Sequence, residues 1–245
     1  MMSPLAVLLR SGDEDDPYEA AFSEQGFDVR SIPVLAFKLV NLDKLRDLIS
    51  RPDEYSGLML TSPRAVDALG EVLLRGSVFL ERWRGKPVFV VGSRTADGVR
   101  ALGLDPVGEG SGSAQVLARL ILSEPIHNQL LFLSGDRRLD ELPSTLRDAG
   151  TPFAELCVYE TRLRPEIDWP VDRPVDWIVF FSPSGIEAVE GTDPGLLEAV
   201  HVAAIGETTA TALRDRGVEV DAVATEPNAQ ALSEAVRAAY DRIRS

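Results

Sequence analysis

The chain has 245 residues, 44% of them hydrophobic and 26% charged, which fits a globular protein of two domains better than one. Its net charge of −14 argues against general nucleic-acid binding and against docking on anionic membranes, while leaving room for an anionic small substrate at a local site. A single cysteine, Cys157, and two histidines, His127 and His201, exclude an internal disulfide framework and leave a metal site short of ligands.

The chain opens with a short apolar run and the acidic cluster Asp13-Glu14-Asp15-Asp16, which is neither a signal nor a transit peptide. The apolar run predicts a strand over 5–9, and the residues after the cluster a helix over 16–25 closed by Gly26. Residues 27–39 are long, extended and β-prone. A strand at 57–60 leads to a helix at 64–75. A strand at 87–91 leads to a helix at 95–102, closed by Gly103, and another helix is expected at 114–121. The second half opens with a strand at 130–133 and a helix at 139–149 closed by Gly150. Residues 153–164 are again extended and β-prone, with a strand at 153–159 ending on Tyr159. Strands at 177–181 and 202–205 precede helices at 185–189 and 208–216, the latter closed by Gly217, and a helix at 229–242 ends the pattern. Alternating short apolar runs and amphipathic segments predict α/β architecture with doubly wound parallel sheets. No stretch approaches the ~20 apolar residues a membrane span needs.

The pattern repeats. Ser11-Gly12-Asp13 recurs as Ser134-Gly135-Asp136, and Ser62-Pro63 as Ser182-Pro183. Gly92-Ser93-Arg94-Thr95-Ala96 recurs as Gly206-Glu207-Thr208-Thr209-Ala210, and Ala114-Gln115 as Ala229-Gln230. Four matches in one order, each where a strand turns into a helix, imply a duplicated domain. A cut near residue 125 would separate two sequential halves. An exchange of strands would instead place the joints at 27–39 and 153–164.

In open α/β sheets ligands bind beyond the carboxyl ends of the strands. The loops there carry Arg10-Ser11-Gly12, Thr61-Ser62-Pro63-Arg64, Gly92-Ser93-Arg94-Thr95, Ser134-Gly135-Asp136-Arg137-Arg138, Ser182-Pro183-Ser184-Gly185 and Gly206-Glu207-Thr208-Thr209. Ser, Thr and Gly at helix starts cap the helix, and they also present N–H groups and a helix dipole to anions. The arginines add cations suited to carboxylates, although each also serves as an ordinary solvated surface charge. The shared expectation is one cleft, lined by matching loops from both halves.

Standard sites are missing. The sequence has no Walker A motif and no G-x-S-x-G elbow, and the Gly-rich run at 108–112 comes too late for a dinucleotide fingerprint. The acidic start invites a receiver-domain reading, but the strand at 57–60 runs into Thr61-Ser62 rather than an acceptor Asp. Tyr159 is the titratable group of most interest, because a phenol can donate a proton to a leaving group; it also fits a half-buried packing role.

Taken together, Thr61-Ser62-Pro63-Arg64-Ala65-Val66, Val91-Gly92-x-x-Thr95-Ala96, Asp140-Glu141-Leu142-Pro143, Val158-Tyr159-x-Thr161, Phe181-Ser182-Pro183-Ser184-Gly185 and Ala204-Ile205-Gly206-x-Thr208-Thr209-Ala210 resemble the uroporphyrinogen-III synthase family over nearly the whole chain. Ser93-Arg94 departs from the expected pattern, where small or amide residues would surprise less. The resemblance implies two similar flavodoxin-like α/β domains with a cleft between them, joined by two β strands near 27–39 and 153–164. One domain would be discontinuous, 1–37 with 165–245, and the other would be 38–164. The implied activity is a cyclising hydro-lyase of heme or siroheme synthesis. It closes hydroxymethylbilane, a linear tetrapyrrole with eight carboxylates, to uroporphyrinogen III with inversion of ring D, using neither cofactor nor metal.

The implied catalytic acid is Tyr159. The implied substrate-binding residues are Arg10, Ser11, Ser62, Arg64, Ser93, Thr95, Ser182, Ser184, Thr208 and Thr209. A monomeric cytoplasmic enzyme with no nucleic-acid or membrane partner is expected. The alternative is a two-domain protein that closes on an anionic ligand without chemistry.

Overall fold

The computed structural model describes residues 3–12, 15–74, 77–192 and 195–245; Asp13 and Glu14 of the acidic start lie outside them. In chain order the elements are β1 (Leu5–Leu9), α1 (Pro17–Glu24), β2 (Asp28–Ser31), β3 (Leu35–Leu39), α2 (Leu42–Ile49), β4 (Tyr55–Leu60), α3 (Pro63–Leu74), α4 (Ser77–Trp83), β5 (Val88–Val90), α5 (Ser93–Ala101) and β6 (Pro106–Val107). They continue with α6 (Ala114–Ser123), β7 (Gln129–Gly135), α7 (Glu141–Asp148), β8 (Phe153–Leu163), β9 (Trp177–Phe180), α8 (Pro183–Thr192), β10 (His201–Ala204), α9 (Glu207–Arg214), β11 (Ala222–Val223) and α10 (Ala229–Arg244).

The chain forms two compact units, one of residues 1–36 and 162–245, the other of residues 37–161. In the first unit the sheet order is β11-β10-β9-β1-β2, and all four pairings are parallel. Counted along the chain this is the 2-1-3-4-5 order of flavodoxin-like folds. In the second unit the order is β3-β8-β7-β4-β5-β6. With β3 set aside and β7 counted first, it is the same 2-1-3-4-5 order. The repeated motifs therefore fall at equivalent places: β1 answers to β7, β4 to β9, β5 to β10, and α6 to α10. With β3 again set aside, each unit takes two of its strands from one sequence repeat and three from the other.

Both faces of each sheet are buried, which is why the strands read as unbroken apolar runs. Leu5, Val7 and Leu9 of β1 pack with Ile186 of α8 and Leu213 of α9. Ala6 and Leu8 face the other way, toward Phe22 of α1 and Leu232 and Val236 of α10. In the second unit Leu131 and Leu133 of β7 meet Leu69 of α3 and Val99 of α5, while Leu130 and Phe132 meet Leu117 of α6 and Leu146 of α7.

Helix ends follow local chemistry. Asp16, Ser113 and Asn228 cap α1, α6 and α10 through side-chain oxygens. Gly26 and Gly150 close α1 and α7 at φ of +82° and +73°, a region that disfavours residues with a Cβ. The helix expected from residue 139 begins only at Glu141; Asp140 stands at its N-cap, and its carboxylate accepts from Arg138 at 2.8 Å rather than from the helix N–H groups. The strand expected to stop at Tyr159 runs on to Leu163. Among the described residues no helix is long and apolar enough to cross a membrane.

Candidate functional site

The loops at the carboxyl ends of the two sheets carry the predicted site residues, and each unit holds its own set. In the first unit these are Arg10, Ser11, Ser182, Ser184, Thr208 and Thr209; in the second they are Ser62, Arg64, Ser93, Thr95 and Tyr159.

At the end of β1, Arg10 is already committed. Its Nη1 donates to Asp16 Oδ1 at 3.0 Å, and its guanidinium lies 4.5 Å from the Tyr18 ring centroid and 5.2 Å from that of Phe181. Asp16 is 5% exposed and also accepts from the Tyr18 N–H at 2.9 Å. Arg10 thus ties the start of α1 to the end of β9, leaving less of it for a ligand. Ser11 is exposed beside it.

After β9, the Ser182 and Ser184 hydroxyls share a 2.7 Å hydrogen bond at the start of α8, both half-buried. After β10, Gly206 begins α9 with no side-chain cap; the Thr209 N–H donates to the Gly206 carbonyl at 3.1 Å, which leaves the Glu207 and Thr208 N–H groups to solvent or an anion. Thr208 is exposed, whereas Thr209 is 4% exposed and faces the unit's interior. A cavity of about 630 Å³ lies between this turn and the end of β11, lined by Gly206, Thr208, Thr209 and Thr225.

The second unit repeats this arrangement. Ser62 Oγ accepts from the Arg64 N–H at 3.2 Å, starting α3. Gly92 begins α5 without a side-chain cap; Ser93 and Arg94 are exposed and Thr95 is 2% exposed. Thr95 and Thr209, the matched positions of the repeat, are both turned inward. Thr209 nonetheless lines the cavity at this turn, and the exposed positions of the two turns are Ser93 and Thr208.

The end of β7 is the most developed part. A register shift between Ser134 and Gly135 brings Tyr159 opposite Gly135. The Asp136 N–H donates to the Tyr159 carbonyl at 3.2 Å, and the Asp136 carboxylate accepts from the Thr161 N–H at 2.9 Å. The Tyr159 ring meets Phe37 of β3 edge to face, with centroids 6.2 Å apart. On Phe37, in turn, rests the Arg64 guanidinium, 4.6 Å from the ring centroid. The series Gly135, Tyr159, Phe37 and Arg64 joins two predicted site residues to a glycine of the predicted β7 loop and to Phe37, which sequence reasoning passed over. Phe37 shares its parity with Leu35 and Leu39 and so reads as a core position; it is 42% exposed.

Beside this series is a cavity of about 490 Å³ lined by Ser134, Asp136, Arg138, Glu155 and Cys157. Arg138 holds Glu155 through both carboxylate oxygens, one bond measuring 2.9 Å, and this contact keeps the Glu155 carboxyl below its ordinary range. Burial pushes the Cys157 thiol up, which makes a reactive thiolate unfavourable. Arg137 is exposed and has no side-chain partner among the described residues. His201 stands at the opposite, amino end of its sheet, 3.4 Å from Asp221. No group of three or more His, Cys, Asp or Glu among the described residues is placed to hold a metal.

The family model described as uroporphyrinogen-III synthase HemD matches residues 16–234. The uroporphyrinogen-III synthase of Schizosaccharomyces pombe is 32% identical, covering 94% of this chain and 95% of its own. That of Saccharomyces cerevisiae is 28% identical over 90% of each. The crystal structure of uroporphyrinogen-III synthetase from Helicobacter pylori superposes with a TM-score of 0.62 at 20% identity, covering 96% of this chain and 99% of its own. That likeness shows the same fold.

Proposed function

The chain belongs to the uroporphyrinogen-III synthase family, and we propose that it works as such a synthase through the carboxyl-end loops of its two sheets. It is a cyclising lyase that converts hydroxymethylbilane to uroporphyrinogen III and water, inverting ring D. The observation that carries this is the 32% identity to the fission-yeast synthase along nearly the full length of both chains.

Tyr159 is the proton donor of our reading. As the hydroxymethyl C–O bond breaks, its electrons leave with oxygen, the phenol proton completes a water molecule, and a cationic azafulvene remains. Ring D attacks the new electrophilic methylene through its substituted carbon. The resulting spiro intermediate rearranges, closes with ring D inverted, and returns a proton. Uncatalysed closure gives the non-inverted isomer, so the protein's main work is to hold the chain in the inverting geometry.

Ser11, Ser182, Ser184 and Thr208 in one unit, and Ser62, Ser93 and Arg64 in the other, are the candidate partners of substrate carboxylates. Hydroxyls, uncapped helix N–H groups and a few arginines bind such groups without a basic surface. Thr95 and Thr209 shape the turns from inside. The acidic overall charge supports a protein without nucleic-acid or anionic-membrane partners, and we place it in the cytoplasm as a monomer.

Replacing Tyr159 by Phe tests the site. Turnover at saturating substrate is expected to fall by about 100-fold, the low end of what a positioned general acid contributes, with the fold retained. Turnover equal to wild type would remove Tyr159 from the mechanism.

A further inference from the structure

Phe37 is the least expected member of the series at the end of β7. A large apolar ring, 42% exposed, stands next to the proposed proton donor, with its ring edge to face with Tyr159 at 6.2 Å. It is not bare: the Arg64 guanidinium lies 4.6 Å from its centroid. Among the described residues that guanidinium is held elsewhere by one contact of 3.3 Å to Asp67, and both side chains are about half exposed. A flat, delocalised cation on an aromatic face is held by the ring quadrupole, and a looser hold on Arg64 lets another such cation replace it.

We infer that the Phe37 ring is the stacking platform for the cationic azafulvene formed when the substrate loses its hydroxyl. This rests on the synthase reading given above. The azafulvene is also flat, delocalised and positive, and it forms where Tyr159 gives up its proton. In this exchange Arg64 leaves the ring and turns to a substrate carboxylate, so one movement removes a competing cation and adds a counter-ion. The neutral pyrrole of the bound substrate gains much less from the ring face than the cation does. The contribution therefore falls on the barrier rather than on binding.

The test uses the whole protein with hydroxymethylbilane and the variants Phe37→Leu and Phe37→Trp. Leu keeps the apolar volume and removes the π face; Trp keeps the face. Phe37→Leu is expected to lower kcat by roughly tenfold with KM little changed, and Phe37→Trp to restore most of the loss. The two rings touch, so their effects are coupled and do not simply add, but Phe37→Leu is still expected to lower kcat in the Tyr159→Phe background. Loss of the effect in that background would make Phe37 a mere support for Tyr159 and overturn the inference. A raised KM with unchanged kcat would assign the ring to substrate binding and also overturn it, as would wild-type kinetics in Phe37→Leu. Far-UV circular dichroism and melting temperature show that the variants are folded. A wild-type protein that forms no excess type III isomer would instead refute the synthase reading, whatever Phe37 does.

Discussion

The phenol end of Tyr159 occupies the space that a side chain on Gly135 would fill. A Cβ on Gly135 would stand 2.3 Å from Tyr159 Cζ and 2.5 Å from its hydroxyl oxygen. Gly135 is not among the glycines with positive φ, so its backbone suits any residue, and the three atoms nearest to such a Cβ all belong to the Tyr159 side chain. The conformation of the β7 turn is thereby fitted to the position of one hydroxyl.

Gly135→Ala is therefore expected to push the phenol aside while leaving the sheet intact. A displacement of about 1 Å costs up to about a hundredfold in turnover when the group must reach a reacting atom. Steady-state kinetics with a parallel melting curve checks this. Full activity in a folded variant would show that the hydroxyl's position does not matter.

Arg10 is expected to matter for stability more than for substrate capture. Its removal leaves the Asp16 carboxylate, 5% exposed, without its cation, although the helix cap it makes with the Tyr18 N–H remains. A loss of about 1–2 kcal/mol is reasonable for a pair that solvent partly screens. Denaturant melts of Arg10→Ala, together with its KM, separate the two roles. An unchanged midpoint with a raised KM would return Arg10 to the substrate.

Thr208 and Thr209 are neighbours with opposite expectations. Thr209→Ala removes interior atoms and is expected to lower stability by about 1 kcal/mol with KM near wild type. Thr208→Ala, at an exposed position in the same turn, is expected to raise KM without a change in melting temperature. The reverse pattern in the two variants would place the buried hydroxyl on the substrate.

Glu155 carries a pH signature. Its carboxyl is held below the ordinary value of 4.5, first by the hydrogen bonds from Arg138 and then by Ser134, against the effect of burial. The folded state thus binds this proton less readily than the unfolded chain. The pair's contribution is complete above about pH 4.5 and is lost as the pH falls through the lower folded value. Melting temperature against pH should drop less steeply on the acid side in Glu155→Gln than in wild type. Parallel curves would show that the pair has no such role.

Much of the fold was legible because its strands are buried on both faces and its helices carry explicit ends. The run Leu5–Leu9 admits little but a central strand, and Gly26 and Gly150 mark their helices to the residue. The 2-1-3-4-5 order of each sheet was not legible in the repeated motifs, which imply only a duplication; it entered through the flavodoxin-like fold that the family resemblance implies. α2 escaped notice because Asn41 starts it from a left-handed conformation with no side-chain cap. β6 and β11 have two residues each, too few to show a period. The site was legible as a set of loops, not as a set of side chains. Nothing in Gly-x-x-Thr tells which way the threonine turns, because that depends on how the first helical turn is rotated onto the sheet. Nor could the sequence bring Asp16 to Arg10 or Phe37 to Tyr159. The first needs the path of the loop after β1, and the second needs β3 laid beside β8.

The isomer composition of the product is the most direct measurement. Purified protein is incubated with hydroxymethylbilane, and the oxidised porphyrins are separated and compared with a no-enzyme control. Product that is predominantly type III is expected, against predominantly type I in the control. A type I majority equal to the control, from folded protein, would contradict the assignment of this chain as a uroporphyrinogen-III synthase.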